Sequence, residues 1–98
     1  MEEQQTFPDT FVRDLITALA GYLGPWLPVG VGRPRLLDLP GLLERAEQGS
    51  SGEVSRAWGR AARLADSASW LQPDTETARE LWTEVRQLCA EAHQVTPR

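Results

Sequence analysis

Three arginines, Arg56, Arg60 and Arg63, stand at i, i+4 and i+7. On a helix that spacing gathers them on one face. A basic face of this kind suits a phosphate or an acidic protein surface. Trp70, one heptad beyond Arg63, falls on nearly the same side, where an indole can stack on a base or anchor a protein contact. The competing reading is a solvated face, with Asp66 pairing to Arg63 and Trp70 folded into the next corner against Pro73. Arg86 and His93 form a second set. Their R-x6-H spacing places them one above the other on a helix, and as surface residues near a helix C-terminus they are cations that the dipole favours. Cys89 and His93 form a third, at i, i+4. Two ligands do not complete a metal site, and the chain has a single histidine, so Cys89 reads as a buried thiol. No Ser/His/Asp arrangement is available, and an ordinary hydrolase is not expected. No metal or cofactor motif is legible.

The R-x6-H pattern resembles the loose Arg/His signature of the HEPN family of small all-α nucleases. The likeness covers the segment from Arg86 to His93, and Gln87 stands where the family usually has another polar residue after the arginine. The resemblance implies a small ribonuclease in which Arg86 and His93 from paired protomers handle the scissile phosphate and the proton transfer. It is the remote alternative to the readings below.

These groups are set among elements whose order is marked by one long uncharged stretch, Leu15 to Gly32. It begins as helix and ends as a Gly/Pro loop almost as apolar as the helix. Loops usually run over the surface and are polar. Trp26, Leu27, Val29 and Val31 are therefore expected either to roof the bundle's own core or to grip a partner. The stretch has near-spanning length, but Gly21, Gly24, Pro25, Pro28, Gly30 and Gly32 break it, and a loop backbone unpaired in lipid is very costly. The segment GVGRPR has neither the G-x-G-x-x-G nor the G-x-x-x-x-G-K-[ST] order, and no strand precedes it, so it does not read as a phosphate loop.

Apolar periodicity predicts an all-α, four-helix bundle-like domain with helices at about 8–23, 40–48, 51–71 and 74–93 and the Gly/Pro-rich loop at 24–35. Thr6 and Asp9 have capping-box spacing, and Gly24-Pro25 is expected to end the first helix with a left-handed glycine. Leu36 and Leu37 suit a turn before the second helix, which Gly49 stops. Ser50 and Glu53 read as a capping box for the third helix, whose Val54, Ala57, Trp58, Ala61, Ala65 and Ala68 form a stripe of small residues around one tryptophan. On the fourth helix Ala78, Leu81, Val85, Leu88, Ala92 and Val95 make an a/d-like seam, widened by Trp82 and Cys89. Leu81, Trp82, Val85 and Leu88 are the seam's candidate partner contacts. The first and fourth helices carry the widest apolar faces and are expected to form the central pair.

Composition narrows the function. Residues 1–98 suffice for one helical domain, with 1–6 and 95–98 expected as frayed tails. The net charge of −4 exerts no general pull toward nucleic acid or anionic lipid. All ten basic residues are arginine, which suggests the codon bias of a GC-rich, bacterial genome. One cysteine excludes an intramolecular disulfide, and the acidic N-terminus lacks a signal-peptide pattern, so a cytoplasmic placement is expected. The reading that follows is a non-catalytic helical protein–protein interaction module (an adaptor, regulatory or assembly subunit) that binds a protein partner or its own copy as a dimer. The alternative is a nucleic-acid-binding regulator that uses Arg56, Arg60, Arg63 and Trp70.

Overall fold

The computed structural model describes residues 7–28, 30, 34–73 and 75–95. They form α1 (Phe7–Tyr22), α2 (Leu39–Gln48), α3 (Gly52–Ser69) and α4 (Glu76–Val95), with 3₁₀ turns at Gly24–Trp26 and Leu36–Asp38 and no strand among the described residues. The all-α class and the four-helix layout are as expected, with boundaries moved by one or two residues. Val95 belongs to α4 and not to a tail. The Thr6–Asp9 capping box and the tails 1–6 and 96–98 lie outside the described residues.

The helix ends differ from expectation in informative ways. No left-handed glycine closes α1. Leu23 N–H still reaches Leu19 O at 2.8 Å, and the chain tightens directly into the 3₁₀ turn, with Trp26 N–H on Leu23 O at 2.8 Å. Pro25 enters this turn where no N–H is required. Ser50 and Glu53 form no capping box. Ser51 precedes α3 without a side-chain cap, and Gly52, at φ 63°, supplies the left-handed backbone that swings α2 into α3. Asp38 does not cap α2. Its Oδ2 accepts from Arg35 N–H at 3.0 Å and so closes the preceding turn, and that hydrogen bond holds the carboxyl below its usual pKa. The working cap of α4 is Thr75, whose Oγ1 accepts from Ala78 N–H at 3.2 Å.

The helices pack in the order α2, α3, α4, α1. The most extensive pairing is α3 with α4, so the expected central pair of first and fourth helices is corrected. The reason is the alanine stripe. Ala61, Ala65 and Ala68 are fully buried and let the α3 backbone come close to its neighbours. On the α2 side, Gly59 leaves room for the Glu47 side chain, since a Cβ there would lie 2.5 Å from Glu47 Oε2, and Ser55 Oγ donates to Glu47 O at 2.9 Å across the same junction. α1 lies parallel to α4. Arg79 covers the Phe11 ring at 5.3 Å at one end, and the Tyr22 and His93 rings meet at 5.3 Å at the other. Leu15, Ile16 and Leu19 of α1, Leu23 just past its end, and Leu39, Leu42, Leu43 and Ala46 of α2 complete a core whose largest buried side chains are Trp58 and Trp82.

Candidate interaction face

The fold sorts the sequence candidates into those it consumes and those it leaves outside. The α4 seam is consumed. Trp82 and Val85 are fully buried, and Leu81 and Leu88 are half-buried edges packed on the same core. Trp82 and Val85 are therefore not free to meet a partner, and only the outer edges of Leu81 and Leu88 remain: a/d periodicity marks a buried stripe without saying whose helix buries it, and here the bundle's own helices do. Trp26 and Leu27 also pack against the core. The Trp26 ring meets Trp58 edge-on at 5.4 Å, and its Nε1 lies 2.6 Å from where a Cβ on Gly49 would stand. This half of the loop roofs the bundle, in place of the free partner anchor it could have been. Val29 and Val31 lie outside the described residues.

The row on α3 stays outside. Arg56, Arg60 and Arg63 are all exposed, and among the described residues none forms an ion pair, Arg63 and Asp66 included. Trp70, just past the end of α3, is 82% exposed and does not fold into the corner. The corner is closed by backbone and hydroxyl bonds that need no indole, with Leu71 N–H on Ala68 O at 3.0 Å and Ser69 Oγ on Asp66 O at 2.7 Å. Leu71 is 39% exposed beside it. Arg60 leans toward α4 and shares a shallow cleft of about 250 Å³ with Glu84, Gln87, Leu88 and Glu91. A basic row on α3 and an acidic row on α4 thus lie side by side.

Arg86 and His93 are both exposed on α4, with the His93 ring held against Tyr22. Cys89 is buried, and burial pushes its thiol up to about 12. That suppresses the thiolate needed for nucleophilic or ligand chemistry. Among the described residues no three His, Cys, Asp or Glu side chains gather as a metal site, and no helix is long and apolar enough to cross a membrane.

Two features were not read from the sequence. Leu37 is 71% exposed at the rim of a groove of about 520 Å³ lined by Pro28, Pro34, Leu37, Asp38, Gly41, Leu42 and Arg45. Only the 3₁₀ geometry decides that Leu37 turns out while Leu36 packs in, and two adjacent leucines carry no periodicity to signal it. The other is the pair of indole N–H groups of Trp58 and Trp82, buried without a hydrogen-bond partner among the described residues.

Compared with known protein families, with curated proteins and with solved structures, the chain matches none.

Proposed function

We propose that this chain is a non-catalytic helical interaction module, an adaptor, regulatory or assembly subunit, and that the outer face of α3 is its working surface. The observation that carries the reading is Trp70, left 82% exposed at the end of a row of three arginines that form no ion pair with any described residue. Leaving a large apolar side chain in water forgoes burial on the order of 2 kcal/mol, and the corner does not need the indole to close. An exposed tryptophan flanked by guanidinium groups has the composition enriched at protein interfaces. A protein partner is favoured over nucleic acid because the row is bordered by Glu84 and Glu91 and the chain carries a net charge of −4, which repels a polyanion. A cytoplasmic placement goes with this reading.

The test is the native size of the chain in an extract of its source cells. It is expected to travel in a complex larger than its monomer. Trp70→Ser combined with Arg63→Glu is expected to shift it to monomer size with no change in melting temperature. A chain of monomer size in the extract contradicts the reading, as does a complex indifferent to both substitutions.

A further inference from the structure

Within that reading, the partner chemistry can be named. α3 and α4 are antiparallel neighbours. The outward row of α3 is basic, at Arg56, Arg60 and Arg63, and the outward row of α4 is acidic, at Glu80, Glu84 and Glu91. Arg60 lies level with the middle of the span from Glu84 to Glu91, since it shares their cleft. One turn along α3 in either direction then brings Arg56 level with Glu91 and Arg63 level with Glu84.

We propose that this face binds a second copy of the chain about a two-fold axis parallel to α3 and α4. Rotation about such an axis lays the α3 of one protomer over the α4 of its partner and keeps every residue at its own height. Arg56 then faces the opposing Glu91, and Arg63 the opposing Glu84, twice each by symmetry. The face is self-complementary in sign and register, as an isologous interface requires. Rotation about an axis across the helices would instead set arginine row on arginine row. Trp70 and the half-buried Leu88 supply the apolar contact, because exposed ion pairs alone contribute little. The charges set orientation and salt dependence. This rests on the interaction-module reading and can fail separately from it.

The experiment is sedimentation equilibrium of the purified full chain over a wide concentration range, at low ionic strength and in concentrated salt, with circular dichroism confirming the fold of each variant. The expected result is a reversible monomer–dimer equilibrium that salt weakens. Arg56→Glu with Arg63→Glu is expected to give a monomer. Adding Glu84→Arg and Glu91→Arg to that pair, which returns the net charge to its original value, is expected to restore the dimer. Arg13→Glu with Arg45→Glu, exposed positions off this face, imposes the same charge change as the first pair and is expected to leave the dimer in place. A chain that stays monomeric throughout at low ionic strength overturns the proposal. A dimer insensitive to the first pair, or a folded fourfold variant that stays monomeric, overturns it equally. A pure chain that is monomeric yet travels in a larger complex in the cell extract overturns the second copy as occupant and leaves the module reading standing.

Discussion

Gly49 and Trp26 form a pair whose coupling has a sign that the packing dictates. Gly49 follows α2 at φ −86° and ψ 2°, a conformation open to alanine. Considered alone, Gly49→Ala would stabilise the fold by about 0.4–1 kcal/mol through the unfolded chain. A Cβ at this position, however, would lie 2.6 Å from Trp26 Nε1, well inside ordinary contact. The indole cannot swing aside easily, because it is a rigid ring wedged edge-on against Trp58. Overpacking of this kind costs about 1–3 kcal/mol. The net expectation for Gly49→Ala is a loss of about 1–2 kcal/mol, or roughly 4–8 °C of melting temperature per kcal/mol for a domain of this size. In a Trp26→Ala background the obstacle is gone, and the same substitution is expected to raise stability by about 0.4–1 kcal/mol. Urea titration of the four proteins, followed by circular dichroism, closes the cycle. If Gly49→Ala stabilises both backgrounds equally, the indole does not cover Gly49 and the roof described for Trp26 is wrong.

Other consequences can be measured together. The Cys89 thiol is raised to about 12, so it stays protonated in the fold while the unfolded chain ionises near its ordinary value. Its stabilising effect is complete below about pH 9 and is lost progressively as pH rises toward 12. Cys89→Ala is expected to flatten that alkaline limb in pH-dependent melting, and the native thiol to resist alkylation until the chain unfolds. Trp82→Phe removes an indole N–H that has no partner among the described residues, which offsets part of the lost packing. It is expected to cost less than about 2 kcal/mol, against about 3–5 kcal/mol for Trp82→Ala, both read by urea denaturation. Gly52→Ala forces a side chain to φ 63° and is expected to cost about 1–2 kcal/mol, with an unchanged melting curve as the contrary result. Trp70→Ser is expected to remove most acrylamide-quenchable fluorescence while the melting temperature holds, because Trp58 and Trp82 are buried and Trp26 is half-buried.

The parts of this molecule that were legible in sequence are those governed by periodicity. Leu15, Leu19 and Leu23 repeat at helical spacing and face the core, and the alanines of α3 face its neighbours. The arginine row was legible for the same reason, since i, i+4, i+7 is a statement about one helix. What was not legible depends on which helix meets which. The α4 seam looked like a dimer seam because its pattern is the same whether α3 or another chain covers it. Small residues reversed the expected pairing: wide apolar stripes on the first and fourth helices suggested a central pair, but Ala61 and Ala65 let α3 approach more closely than α1 can. Helix ends were misread where one geometry replaced another of similar composition. A 3₁₀ turn takes the place of a left-handed Gly24, and Ser51 with a left-handed Gly52 takes the place of the Ser50/Glu53 capping box. Glu80, Glu84 and Glu91 read from the sequence as the exposed side of the fourth helix, but only the antiparallel α3–α4 pairing sets that row level with the arginines.

The claim that the outer α3 face exists to hold another protein is tested most directly by placing a photo-crosslinking residue in place of Trp70 in the intact chain, within its source cells, with Thr17 on the exposed side of α1 replaced likewise as the reference. A discrete protein adduct from position 70 and none from position 17 is the predicted result, and an adduct to the chain itself would also support the two-fold dimer. No adduct from position 70, or the same diffuse adducts from both positions, would contradict the account.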